Sequence, residues 1–309
     1  MKNKTNFMTK TWVIVIGAMI CCTLWGSAFP CIKIGYRLLE IAAADTASQI
    51  LYAGYRFTLA GVLTIVLGSI LQRKILLPKR SAIGKIGLLS LLQTVLQYLF
   101  FYIGLAHTTG VKASIIEAVS TFVAILVAGY LFHQETVTSR KMFGCLIGFA
   151  GVVLVNVAGS GMDFHFSPAG DGCILLSTVA YAFSSVCMKR FSQKEDPVML
   201  SGYQFILGGI VMIACGAAMG GHLKAFTVSA AALLIYMAMI SAVAYSLWGM
   251  LLKYNPVSKV TVFGFMNPVI GVILSALLLD ETEALGTSSV LALGLVCVGI
   301  YIVNAKGKD

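Results

Sequence analysis

Hydrophobic residues make up 59% of this 309-residue chain and charged residues only 11%, where a water-soluble domain carries roughly 25% charged residues. Such a chain cannot cover a water-facing surface, which excludes a cytosolic enzyme, a disordered scaffold and a secreted disulfide domain. Its net charge of +10 sits at the edges of apolar runs and forms no aromatic-interleaved stripe, so no nucleic-acid partner is expected.

A bilayer-crossing helix needs about 20 mostly apolar residues. In chain order, such helices are expected at 12–36, 48–71, 83–106, 111–133, 142–157, 171–191, 199–219, 228–253, 257–279 and 284–304. The first follows Lys2, Lys4 and Lys10 as a secretory leader would. Its small-residue site, Ala42 to Ala44, lies beyond Lys33, Arg37 and Glu40, so it reads as the first helix of the mature protein. The connections are too short for a separate domain, and the runs are too long and too little alternating for a β-barrel. The eight cysteines fall within or beside apolar runs with no CxxC pair, which suggests packing and neither metal nor disulfides.

Orientation follows from lysine and arginine. With ten alternating spans, seventeen of the 22 gather at the helix ends on the side of the termini. Only Lys33, Arg37, Lys112 and Lys224 fall on the other, and Arg56 lies inside a span. That bias places both termini in the cytoplasm and requires an even number of spans.

The two halves resemble each other. Gly54-Tyr55-Arg56-Phe57 matches Gly202-Tyr203-Gln204-Phe205, and Leu59 and Gly61 find Leu207 and Gly209. Trp25 through Lys33 aligns with Tyr181 through Lys189, Glu135-Thr136 with Glu281-Thr282, and Gly151 to Asn156 with Gly299 to Asn304. The expected architecture is therefore an all-α integral membrane protein of ten transmembrane helices, arranged as two five-helix repeats, residues 1–158 and 159–309. Five is odd, so the second repeat enters from the opposite side and the pair is inverted, as in many secondary transporters.

Polar and aromatic residues mark the middles of spans 1, 3, 4, 6, 8 and 9, whereas spans 2, 5, 7 and 10 carry small residues there, such as Ala60-Gly61 and Gly208-Gly209. Small residues let helices pack closely, and polar groups inside a membrane should face one another or water. A central cavity lined by spans 1, 3, 4, 6, 8 and 9 and braced by spans 2, 5, 7 and 10 follows. The candidate substrate-contacting residues are Trp25, Gln93, Gln97, Tyr98, Glu117, Thr121, Tyr181, Tyr245, Trp248 and Asn267. Gln93 and Gln97, at i and i+4, are expected on one helix face; the alternative for each polar group is a bond to a neighbouring helix, and for each aromatic ring simple core filling.

Glu117 is an intramembrane carboxylate and hence a functional candidate. It lies roughly 9 Å inside its span, and Arg56 roughly 12 Å from the same side, at 1.5 Å per residue. An ion pair between them, or proton exchange or ammonium binding at Glu117, is expected. Asn267-Pro268 should bend span 9, and Lys33 and Lys189 should snorkel to opposite interfaces. No Walker-type motif, HExxH, membrane aspartate pair or mid-membrane histidine occurs, so neither an ATP-driven pump nor an enzyme is indicated, and no metal or cofactor is called for.

Leu24-Trp25-Gly26-Ser27-Ala28-Phe29 with Lys33, Tyr55-Arg56-Phe57, and the stretch from Asn267-Pro268 to Asp280-Glu281 resemble the drug/metabolite transporter superfamily, and within it the ten-helix EamA-type family of bacterial metabolite exporters. The glutamates closing each repeat, Glu135 and Glu281, and the Gly-rich helix after each are typical of it. The resemblance implies a cavity built by helices 1, 3, 4, 6, 8 and 9, an inner-membrane location, and efflux of amino acids and related small metabolites. One departure is Thr121-Phe122 where the family often has a proline in both repeats, so span 4 is expected to bend less than span 9. The expected function is alternating-access export of a small-molecule substrate across the lipid bilayer, by a monomer or a homodimer; the alternative is an uncoupled facilitator or channel.

Overall fold

A computed structural model describes residues 7–157, 166–224, 227–279 and 287–305. Ten of its helices are long and apolar enough to cross a membrane. They are α1 (Thr11–Leu38), α2 (Thr46–Gln72), α3 (Arg80–Leu105), α4 (Lys112–Leu131), α5 (Ser139–Val157), α6 (Pro168–Ser192), α7 (Pro197–Ala218), α8 (Val228–Tyr254), α9 (Val257–Leu274) and α10 (Thr287–Asn304). The described residues contain no strand. In a bilayer the backbone must satisfy itself, which a helix does within its own segment. Glu281 and the other residues expected to close the second repeat lie outside the described residues.

Short polar side chains fix where several helices begin. Asp45 accepts the Ser48 amide, Thr109 that of Lys112, and Thr227 that of Ala230. Asp196 accepts two amides, from Val198 and Met199, ahead of Pro197, whose fixed φ suits a first helical turn. Outward-facing apolar residues such as Ile16, Ile20, Val62, Val66, Leu291 and Tyr301 stay exposed and form a lipid-facing belt.

Much of the packing between the helices recurs when the repeats are exchanged, although α6 with α8 and α5 with α9 have no comparable image among the described residues. α1 packs on α8 and α9, while its counterpart α6 packs on α3 and α4. α2 packs on α8, and α7 on α3. Two pairs, α2 with α7 and α5 with α10, are their own counterparts and are the most extensive contacts in the molecule. Glycines make them possible: a Cβ on Gly61 would stand 2.5 Å from the Gly202 carbonyl, and one on Gly299 would stand 2.6 Å from the Gly144 carbonyl. The glycine faces of α5 and α10 are thus occupied within one chain.

Cross-links define two faces. On the terminal face, Asn255 donates to the Met8 carbonyl at 3.0 Å, Lys85 pairs with Glu195 at 2.6 Å, and Ser258 donates to Glu135. On the far face, Gln49 donates to the Ala43 carbonyl, the His222 amide to the Ser48 hydroxyl, and Thr108 to Asp171.

Several helices are interrupted. α3 contains a wide π-turn at Ser90–Leu96, and α4 a break at Val119 followed by a π-turn at Val127–Leu131. α9 passes through a 3-10 turn at Val262–Phe265 before Asn267-Pro268. Glu117 aligns with Phe263, so Val119 and Phe265 are repeat equivalents. The Val119 amide bonds back only three residues, to Ile116. Regular α geometry is therefore interrupted at the same place in both repeats, in α4 without any proline.

Candidate functional site

At mid-span, with a lining that reaches toward the far face through Ile32, Ser114 and Ser177, lies a cavity of about 150 Å³. Trp25, Gln97, Tyr98, Glu117, Tyr181, Tyr245 and Asn267 line it, from α1, α3, α4, α6, α8 and α9. α2 also contributes, through Arg56, so α2 is more than the brace expected from its small residues.

Three expected residues lie outside this lining. Gln93 is buried within the π-turn Ser90–Leu96, whose wider coil breaks the i, i+4 register that would have set it beside Gln97. Thr121 donates its hydroxyl to the Thr261 carbonyl at 3.1 Å, tying α4 to α9 just past the Val119 break. Trp248 is 2% exposed beneath the cavity floor, edge-on to Trp25 with ring centroids 5.0 Å apart.

Arg56 and Glu117 share the cavity without an ion pair. The ion pairs among the described residues include Lys85–Glu195, Lys112–Asp171, Lys141–Glu135 and Lys224–Glu40, but not Arg56–Glu117. Similar depth along two helices does not fix azimuth. α2 packs on α7 and α8, whereas the first half of α4 packs on α5 and α6. The Arg56 guanidinium instead lies over the rings of Phe57, at 4.4 Å, and Tyr98, at 5.8 Å.

The walls combine an aromatic surface with unpartnered polar atoms. Tyr98 and Tyr245 hydroxyls meet at 2.9 Å, and Tyr245 packs edge-on against Trp25 and Phe205. Trp25 Nε1, Arg56 Nε, Gln97 Oε1 and Asn267 Oδ1 are buried without a hydrogen-bond partner. Each such atom costs about 1–3 kcal/mol when left without a partner, so these four suit a space that receives polar groups; others, such as Gln93 Oε1 and Gln204 Nε2, lie outside it.

Toward the terminal face the structure is sealed. Cys21 donates to the Ala244 carbonyl and Cys22 to that of Phe263, knitting α1 to α8 and α9 below the cavity. Glu135 then accepts from the Ser258 amide at 2.9 Å, the Ser258 hydroxyl at 2.5 Å and Lys141 Nζ at 2.9 Å. Gln134 donates to the Val186 carbonyl at 3.2 Å. Lys189 does not snorkel outward; its Nζ donates to the Leu252 and Asn255 carbonyls at 3.1 and 2.5 Å, capping the end of α8.

Residues 12–157 and 168–305 both match the EamA-like transporter family. The chain belongs to that family. This EamA protein is 29% identical over 306 residues to an uncharacterized transporter of Archaeoglobus fulgidus, covering 96% of this chain and 99% of that one. It is 27% identical to the uncharacterized inner membrane transporter YedA of Escherichia coli, over 92% of this chain and 90% of that one. A WAT1-related chloroplastic protein of Arabidopsis thaliana is 26% identical over 96% of this chain and 70% of its own. A protein of known crystal structure shares the fold with a TM-score of 0.77 at 16% identity, covering 94% of this chain and 96% of that one. The chain is thus a multi-pass membrane transporter.

The EamA cavity also holds residues that the search for polar mid-span groups passed over. Ala28, Phe29 and Ile32 of α1, Phe101 and Tyr102 of α3, and Ile240 of α8 line it. As apolar residues in apolar helices they carry no signal that separates lining from core. Ser114, Ser177 and Thr178 also line it and were weak signals, since serine and threonine more often bond their own helix. Thr178 does so, to the Ile174 carbonyl at 2.8 Å.

Proposed function

We propose that the protein is a secondary transporter that exports small metabolites such as amino acids by alternating access, with both termini in the cytoplasm of an inner membrane. The observation that carries this reading is the cavity itself. It is lined by both repeats, lies at mid-membrane, and is closed on the terminal face by Trp248, Cys21, Cys22 and the Glu135 network while extending toward the far face. Inverted repeats with exchangeable contacts give two such states, one for each face, at similar energy. The lysine and arginine bias supports the orientation, and YedA is by its name an inner membrane transporter. Glu117 is the group in the cavity that can take up a cation or a proton, and it carries coupling in this reading.

The test is counterflow in proteoliposomes with a panel of labelled amino acids, with Glu117→Gln beside wild type. Saturable exchange accelerated by substrate on the opposite side is expected, with at least about a tenfold loss in folded Glu117→Gln, the loss of one charge-assisted contact. Linear flux without acceleration by substrate on the opposite side would identify a facilitator or channel and end the alternating-access reading. Undiminished exchange by Glu117→Gln at every pH would remove Glu117 from the mechanism.

A further inference from the structure

Among the described residues, Arg56 has no protein counter-ion. It is 5% exposed, lines the cavity, leaves Nε unpartnered, and has no carboxylate within ion-pair distance among the described residues. Arginine keeps its charge in a protein, and a charge buried in a membrane is tolerated where it meets a partner or lines a polar space. The faces of Phe57 and Tyr98 offer cation–π attraction, yet a ring face leaves the fork of N–H donors unoccupied. That fork matches a planar carboxylate through two parallel hydrogen bonds. Glu117, the other charge in the cavity, stands on a helix with different packing neighbours. The cavity therefore presents a cation and an anion from separate walls, with Trp25 and Tyr98 also lining the space.

We infer that Arg56 is the carboxylate subsite of this cavity, and that the substrate is a zwitterion whose carboxylate sits on Arg56 while its ammonium group faces Glu117. The inference rests on the transport reading for its role in export, but the binding it describes does not depend on flux. A neutral or purely cationic substrate would leave the guanidinium donors unmatched.

The test uses the full chain in lipid nanodiscs. Trp25 lines the cavity, so intrinsic tryptophan fluorescence reads occupancy, and counterflow in proteoliposomes reads flux. The probes are L-phenylalanine, L-leucine and L-threonine, each beside its carboxamide and its decarboxylated amine. Carboxamide and amino acid share the ammonium group and side chain, so their difference reports the carboxylate alone. At least one amino acid is expected to bind about tenfold or more tightly than its carboxamide and amine. Arg56→Gln should abolish that preference, and Arg56→Lys should restore part of it, because lysine supplies the charge without the fork. Equal binding of acid and amide by wild type, failure of all three acids to bind, or survival of the preference in folded Arg56→Gln each overturns the inference. If Arg56→Gln does not fold, the wild-type acid-against-amide series and Arg56→Lys decide it. Carboxylate-selective binding without counterflow would sink the transport reading and keep the subsite; counterflow without selectivity would do the reverse.

Discussion

Lys189 lies in the last turn of α6, where a lysine in a membrane helix ordinarily stretches toward the interface. Here it turns inward to the carbonyls that end α8, groups that the helix itself leaves unsatisfied. A cation at a helix C-terminus also opposes the negative end of the helix dipole. Asp45 works at the other kind of end. It accepts the Ser48 amide at 3.0 Å, and that amide and the Ser48 hydroxyl hold its carboxyl below the usual carboxylate range. A group with a depressed folded pKa contributes stability above its unfolded pKa and loses it as pH falls through the folded one. Asp45→Ala should therefore lower stability by about 1 kcal/mol at neutral pH, with the gap to wild type narrowing once both proteins are taken below the carboxylate range. Thermal unfolding in detergent at the two pH values measures it, and a gap independent of pH would show that the capping charge is not the cause.

At the scale of helices, close approach decides which residues can be exchanged. Gly61 meets Gly202 where α2 crosses α7, and a side chain there would have to displace backbone rather than a flexible side-chain end. Gly61→Val should destabilise by about 1–3 kcal/mol or more, the range for overpacking, whereas Gly84→Val, on α3 with open space around it, should leave packing intact. Thermal denaturation followed by size-exclusion monodispersity separates the two. The spans were legible because hydropathy and length alone define a membrane helix. The residues that reach the cavity were legible only in part, since polarity at mid-depth finds Gln97, Tyr98, Glu117 and Asn267 but not the direction each one points. Gln93 and Thr121 were misplaced because both lie within a few residues of an interrupted turn, and such interruptions leave no mark in a hydrophobicity pattern. Arg56 shows the converse: its depth was readable, but its neighbours depend on which face of α2 meets α7.

For the molecule as a whole, the Glu135 cluster holds the loop after α4 against the start of α9. Removing the carboxylate strands the Ser258 amide and leaves the Lys141 ammonium only the Thr136 carbonyl, a loss of about 1–3 kcal/mol, which in the proposed cycle is roughly 5- to 150-fold in the balance between terminal-face-closed and terminal-face-open forms. Cys21 and Cys22 lie fully buried behind that closure. Glu135→Ala should therefore raise the rate at which a membrane-impermeant maleimide, applied from the terminal side, modifies those two cysteines, by about tenfold. Peptide mass spectrometry identifies the sites, and an unchanged rate would show that the cluster does not hold the face shut. The duplication was readable from four matched segments, while this closure was not, because it joins Glu135 to a serine 123 positions away that no local pattern connects to it.

The contacts that map onto themselves when the repeats are exchanged carry a different consequence. In the proposed alternating-access cycle, α2 with α7 and α5 with α10 are the helix pairs that keep the same partner in both orientations, while each residue contact within them has its own image, as Gly61 with Gly202 has Gly209 with Gly54. A substitution at α1 with α8, whose image is α6 with α3, disturbs one partner of a pair and leaves the other whole. In that cycle the self-imaged seams would bear on how firmly the molecule holds together, and the α1 with α8 and α6 with α3 seams on which face it leaves open.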